Sequence, residues 1–368
     1  MKPCDVVRVF SGARTLTYIT TYECGARCAH CLMDCSPEQH EKLGFDEMAS
    51  FLCRVMDLGL SLQTVVFTGG ECTRLGDDLL DMISYASSRG LATRIVTNAE
   101  WATTDKESRV YLGALHDAGL DEVNISFDDY HARWVPLSNI KRVWELTREF
   151  SFSTVAVATC EHGLSKVTPE YLCREFGEDV PKYYGSDGGI NAALLEAIEG
   201  GERVRFISNN RLYRLGRARG LHDDVFCQEL DRMALGGCND CCRDIVVTPE
   251  FHVALCCGMR PGKGSFIDIG SAKLEESISA TEQLIDKYLE ELGPYCLLDL
   301  LRCRFPHDVS SLEWANSPCE ACETASRFMA NLASVDEIYN AMRDQLDAEH
   351  QLDSILEGVI SDAQGKRA

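Results

Sequence analysis

From residue 14 to residue 220 the chain alternates short β-branched and aromatic runs with longer stretches of helical period. That alternation is the sequence sign of repeated βα units around a parallel sheet. Six runs read as strands: Leu16–Thr20, Thr64–Thr68, Ala92–Thr97, Glu122–Phe127, Ser153–Ala158 and Arg203–Ile207. Between the first two, Met48, Phe51, Leu52, Val55 and Leu58 recur at three-and-four spacing, a one-sided apolar stripe suited to packing on a sheet. Further helices are expected over Asp77–Arg89, Asp105–Ala118, Asn139–Glu149 and Pro169–Phe176, the last opened by Thr168 as N-cap with Pro169 in the first turn. The expected fold is α/β, a partial TIM-like barrel of six βα units over residues 1–222. Within it, Tyr183–Gly201 reads as an exposed excursion near the barrel mouth.

Past residue 225 the alternation stops and cysteines take over, which marks a small Cys-rich unit over residues 223–324. Residues 325–368 then read as a helical segment. Phe328, Leu332, Val335, Tyr339, Met342 and Leu346 share one face, extended by Leu352, Ile355, Leu356 and Val359, and the expectation is a helix docked on the protein's own body.

Lys and Arg total 36 against 58 Asp and Glu, a formal charge of −22. Such a field repels phosphate backbones and anionic lipid, so neither nucleic acid nor a membrane is an expected partner. The N-terminal stretch has no signal-like apolar core, and no run approaches the ~20 apolar residues of a spanning helix, so a cytoplasmic location is expected. The chain has 19 cysteines, an odd count without an export signal. In a reducing compartment clustered thiols point to metal rather than to disulfides.

The sharpest cluster is Tyr22-Glu-Cys24-Gly-Ala-Arg-Cys28-Ala-His-Cys31, three thiols spaced C-x3-C-x2-C directly after the first expected strand. An iron–sulfur cube is usually held by four thiolates, so three in one loop would leave one iron open to another ligand. A structural zinc site would need a fourth ligand, for which Cys35 or His30 stands nearby. The carboxyl ends of barrel strands are where βα barrels place their chemistry.

This spacing resembles the hallmark of the radical S-adenosylmethionine (SAM) superfamily, and the likeness continues along the chain. Thr68-Gly69-Gly70-Glu71 ends the second strand and is similar to the family's Gly-Gly-Glu motif, with Cys72 where proline is usual. The resemblance implies that its backbone and carboxylate hold the amino group of the cofactor's methionine part. Thr97-Asn98 looks like the family's Thr-Asn-Gly with Ala99 in place of glycine, and Ser126 and Asp128 match a fourth-strand region near the cofactor's carboxylate and ribose. Arg214-Leu215-Gly216-Arg217-Ala218 is similar to a run found in maturase-like members. The implied chemistry is reductive cleavage of SAM at a [4Fe–4S] cluster held by Cys24, Cys28 and Cys31, giving a 5′-deoxyadenosyl radical that abstracts a substrate hydrogen. An electron donor such as flavodoxin or ferredoxin would be a partner.

Downstream, Cys238, Cys241 and Cys242 precede an expected hairpin, Ile245–Val247 and His252–Leu255, and Cys256 and Cys257 follow it. This resembles the SPASM and Twitch auxiliary-cluster domains, with Phe251 where glycine is expected, and Cys319-Glu-Ala-Cys322 supplies a further pair. The favoured ligands for one auxiliary [4Fe–4S] cluster are Cys242, Cys256, Cys319 and Cys322. Cys238, Cys241 and Cys257 compete for one place each, Cys296 and Cys303 could cap a second cluster, and structural zinc is the alternative. Three functions follow: an oxidoreductase-type peptide maturase that crosslinks or epimerises a ribosomally made peptide, a dehydrogenase or rearrangement enzyme on a small metabolite, or a non-catalytic metal-stabilised scaffold. For epimerisation, Cys227 is the expected thiol that returns hydrogen to the substrate.

Overall fold

The computed structural model describes residues 12–184, 189–226, 243–254, 256, 268–271, 280–306, 315, 317–332 and 336–365. Six parallel strands form the barrel wall: β1 (Thr15–Thr21), β2 (Thr64–Gly69), β3 (Ala92–Thr97), β4 (Glu122–Ser126), β5 (Thr154–Glu161) and β6 (Val204–Arg211). They lie in sequence order, as expected of repeated βα units, because each crossover helix returns the chain to the next parallel position.

Period two sorts the side chains. On β1, Thr15, Thr17 and Ile19 face an inner cavity, while Leu16 and Tyr18 join the outer core under the helices. Helix α1 (Phe45–Asp57) buries Met48, Phe51, Leu52 and Val55, the stripe legible in the sequence, and the Tyr18 hydroxyl donates to the Met48 carbonyl at 2.7 Å. Helices α2 (Asp77–Ser87), α3 (Asp105–Asp117), α4 (Leu137–Leu146) and α5 (Pro169–Phe176) complete the outer layer, and Thr168 caps α5 through the Tyr171 N–H. One expectation needs correction: the segment read as an exposed excursion contains helix α6 (Ala192–Glu199), capped by Asn191 and anchored by buried Leu194.

The hairpin expected in the Cys-rich unit is present as β7 (Asp244–Val247) and β8 (His252–Ala254), with a further antiparallel strand β9 (Asp268–Ser271). It does not form a sheet of its own. β7 pairs in parallel with β1, Thr15↔Asp244 through Tyr18↔Val247, so one nine-stranded sheet runs β6-β5-β4-β3-β2-β1-β7-β8-β9. At the hairpin turn Phe251 has φ +60°, the left-handed region glycine would occupy, and its ring packs edge-on against Phe51 at 5.9 Å.

The C-terminal part is helical: α7 (Ala280–Glu291), α8 (Gly293–Arg304), α9 (Pro318–Met329) and α10 (Asp336–Gly365). The expected single amphipathic run is thus split between α9 and α10. Ile338, Met342 and Leu346 of α10 are buried, and its Gln345 accepts a hydrogen bond from Tyr288 of α7 at 2.7 Å. Among the described residues, no helix is long and apolar enough to cross a membrane.

Candidate active site

The loop leaving β1 carries Cys24, Cys28 and Cys31, and all three line a cavity of about 580 Å³ at the carboxyl ends of the strands. Gly69, Gly70, Asn98 and Ser126, from the ends of β2, β3 and β4, line the same cavity. Cys35, His30, His131 and Cys160 join them. None of the described cysteines is in a disulfide.

The thiols sit in unlike surroundings. Burial pushes the Cys24 thiol up to about 12 and the Cys28 thiol higher still, so both keep their protons at neutral pH when no metal is present. Cys31 is held down to about 5 by hydrogen bonds from the Cys35 thiol and backbone, which outweigh its burial. The Cys35 N–H lies 3.3 Å from the Cys31 sulfur. The set is three soft donors facing one space, and a metal that takes them must displace protons.

The two glycines are required first by the loop backbone. The Gly70 N–H donates to the Thr21 carbonyl at 2.6 Å and the Glu71 N–H to the Glu23 carbonyl at 2.8 Å, which zips the end of β2 to the start of the thiol loop. A Cβ on Gly70 would lie 2.1 Å from the Glu23 carbonyl oxygen, so no side chain fits.

Glu71 follows the glycine pair. Its side chain is fully buried, and its carboxylate accepts from the Thr73 and Thr97 hydroxyls, both at 2.7 Å, and from the Asn98 N–H at 2.8 Å. The carboxylate braces the turn after β3. That turn in turn presents Asn98, whose Nδ2 lies 3.4 Å from the Cys24 sulfur. Ala99, where glycine was expected, takes φ +58° and is completely buried.

Asp128 accepts several hydrogen bonds. One oxygen accepts from the Tyr130 and His131 N–H groups at 2.9 Å, and the other lies 2.9 Å from His30 Nε2. His131 Nδ1 is 3.0 Å from the same carboxylate, and the His30 ring stacks on Tyr130 at 4.6 Å. Burial would raise the Asp128 carboxyl, but the two imidazoles outweigh it and hold the group well below the usual carboxylate range. The sequence reading singled out neither His131 nor Cys160 for the cavity. Their signal was position: the first follows the end of β4, the second is the last residue but one of β5, and both are carboxyl-end places of a barrel.

Of the expected auxiliary ligands, Cys256 follows β8, and Cys319 and Cys322 lie in the first turns of α9, all three partly buried. Cys296 and Cys303 are both on α8, the first partly buried and the second exposed. Cys227, Cys238, Cys241, Cys242 and Cys257 lie outside the described residues.

Three thiols in the loop after β1, a glycine pair zipped beneath it and an open cavity at the strand ends are the features in which the chain resembles radical SAM proteins. No protein-family profile matches the chain. Among characterised relatives, YydG of Bacillus subtilis (strain 168), provisionally named for peptide biosynthesis, is 23% identical over 137 residues, 37% of this chain and 43% of that protein. A PqqA peptide cyclase of Bradyrhizobium diazoefficiens is 35% identical over 108 residues, 29% of this chain and 26% of that protein. A GTP 3′,8-cyclase of Chlorobaculum tepidum is 28% identical over 118 residues, 31% and 34% of the two chains. The chain therefore spans less than half the length of these relatives. The solved structure of native anSMEcpe with bound AdoMet aligns over 89% of this chain and 99% of that one, at 12% identity and a TM-score of 0.49. Over about a third of its length the chain is thus similar to radical SAM proteins.

Proposed function

We propose that this protein is a radical SAM enzyme that modifies a ribosomally made peptide. The observation that carries the reading is the convergence of Cys24, Cys28 and Cys31 on one cavity with Gly69, Gly70, Asn98 and Ser126. The donor set fits the group: soft thiolates suit an iron–sulfur cluster, and a three-thiolate loop leaves a position for a small chelating ligand. When bound, a SAM-ligated cluster supplies a carbon-centred radical that takes hydrogen from a substrate.

The chain's own residues do the holding and the excluding. Cys24, Cys28 and Cys31 would hold the iron, and the Gly69-Gly70 backbone fixes the loop against β2. Asn98 and Ser126 offer hydrogen-bonding groups for the cofactor's polar parts. Ile19, Leu32, Val66 and Val96 give the cavity an apolar wall, which limits water around a reactive centre. A second cluster on Cys242, Cys256, Cys319 and Cys322 and an electron donor of the flavodoxin or ferredoxin kind belong to the same proposal.

Two relatives named for peptide chemistry support a peptide substrate, and the charge of −22 suits a basic peptide better than a phosphorylated metabolite. The GTP 3′,8-cyclase relative favours a second reading, a small-metabolite substrate. The test has two stages. Anaerobically purified protein should carry about eight iron per chain, and replacing Cys24, Cys28 and Cys31 together should remove about half. Zinc in place of iron would overturn the radical SAM reading. Supplied with a candidate peptide, the enzyme should then either lower its mass by two hydrogens or introduce solvent deuterium at an α-carbon. Oxidation of a small alcohol or amine, with every peptide unchanged, would overturn the maturase reading.

A further inference from the structure

The thiol loop is gripped by a residue far away in sequence. After β6 the chain turns back across the barrel mouth, and its Leu215-Gly216-Arg217 run lands on the loop. The Arg217 N–H donates to the Cys31 carbonyl at 3.0 Å. Its guanidinium donates from Nη1 to the Cys28 carbonyl and from Nη2 to the Cys35 carbonyl, each at 2.8 Å, and from Nε to the Asp34 carboxylate at 2.7 Å. A planar fork with donors on three nitrogens is what such a three-way grip needs, and a lysine ammonium cannot reproduce it.

Two backbone features show that the contact is built in. Gly216 has φ +52°, and a Cβ there would lie 2.3 Å from the Leu32 carbonyl oxygen and 2.7 Å from that of Cys31, so only glycine allows the approach. Asp34, the acidic partner, itself takes φ +55°, a conformation a non-glycine residue holds only when its surroundings fix it. The same segment also reaches the other way. The Arg214 N–H donates to Glu320 at 2.8 Å and Arg219 pairs with Glu323, both on α9, the helix that carries Cys319 and Cys322.

We propose that Arg217 is a positioning residue for the metal centre: it fixes the Cys28–Cys35 stretch of the loop in its ligating shape and, through the 214–219 segment, ties that loop to α9. The inference rests on the radical SAM reading of the cavity. Its prediction concerns retention and symmetry of the loop cluster, not the fold. A loop released at the Cys28 and Cys35 carbonyls and at Asp34 is held by the Arg217 backbone N–H at Cys31 alone and loses its fixed spacing of Cys28 and Cys31, so iron held there should leave faster and the cluster should sample more than one geometry.

The experiment uses full-length protein reconstituted anaerobically with iron and sulfide, as wild type, Arg217→Ala, Arg217→Lys and Asp34→Asn. Far-UV circular dichroism reports folding, a ferrous chelator reports iron release, and electron paramagnetic resonance of the reduced protein, with and without SAM, reports cluster geometry. Arg217→Ala should release the loop iron at least tenfold faster and broaden the SAM-dependent signal while keeping wild-type helicity. Arg217→Lys should fall between the two, at roughly threefold or more. Asp34→Asn, which removes only an exposed charge and keeps an acceptor for Nε, should stay within about twofold. If Arg217→Ala fails to fold, the lysine variant decides by the same threefold criterion. Wild-type release rates and spectra in the arginine variants would overturn the positioning role. A wild-type protein that takes up no iron would instead sink the radical SAM reading, so the two failures are distinguishable.

Discussion

Replacing Glu71 by alanine separates a carboxylate that meets a ligand from one that holds a turn. In the folded protein Glu71 is fully buried and satisfies four donors: the Thr73 hydroxyl and N–H, the Thr97 hydroxyl and the Asn98 N–H. A buried donor left without an acceptor costs about 1–3 kcal/mol. The Asn98 N–H is fixed by the backbone and cannot turn elsewhere, whereas the two hydroxyls can rotate. Part of the loss is offset because burial raises the Glu71 carboxyl above its usual range, so the charged group itself is held at a cost. The balance is a destabilisation of about 2–4 kcal/mol. Urea unfolding of metal-free protein, followed by circular dichroism, should show that loss directly. Glu71→Gln keeps one oxygen for the Asn98 N–H and turns its amide toward hydroxyls able to accept, so it should lose roughly half as much. Weaker SAM binding in the loaded protein should then scale with the loss of stability. Metal-free variants as stable as wild type would refute the bracing argument and return the carboxylate to the ligand.

Three further perturbations have definite signs. Gly70→Ala should cost about 3 kcal/mol in the same unfolding assay, because backbone must move away from the new Cβ; Gly163→Ala, with open space around it, is the control that should change little. The folded-state carboxyl of Asp128 is depressed, so its contribution is present above the unfolded-state value and lost as pH falls. The stability gap between wild type and Asp128→Asn should therefore be full at pH 7 and shrink below about pH 4; a gap that does not vary with pH would contradict the pairing with His30 and His131. Ala99→Gly should be neutral or stabilising by up to ~1 kcal/mol, since Ala99 holds a left-handed backbone, and a clear loss of stability would show that its methyl packing outweighs the strain.

Much of this architecture was legible in the sequence because it is local. The six strands fall within a few residues of their expected places, since alternating β-branched runs bounded by turn residues carry their own signal. The turn between β7 and β8 was marked by Thr-Pro-Glu, and the thiol loop by its spacing. Helix α6 was missed because Gly and Ser around it masked a short apolar run whose cap is Asn191. What stayed hidden depends on contacts between distant positions. Nothing near β7 announces that it will lie beside β1, nothing in Thr68-Gly69-Gly70-Glu71 says which way the carboxylate turns, and the four contacts of Arg217 join positions that only the folded sheet brings together. Glycine was the expected residue at both Ala99 and Phe251, and both take positive φ. The left-handed backbone is thus kept at both positions although the side chains differ.

The pairing of β1 with β7 also sets a timetable for synthesis. On the ribosome β1 emerges first and acquires β2 early, but its other edge stays open until the Asp244–Val247 strand has been made, on the order of ten seconds or more later at ordinary elongation rates. For that interval the strand that runs into the thiol loop shows unpaired N–H and C=O groups to its surroundings, the kind of edge through which nascent chains stick together. Arg217, too, is translated long after the thiols it grips. Iron delivered too early would meet a seat with one side missing, so in a growing cell the order of events should be chain completion first and metal insertion second.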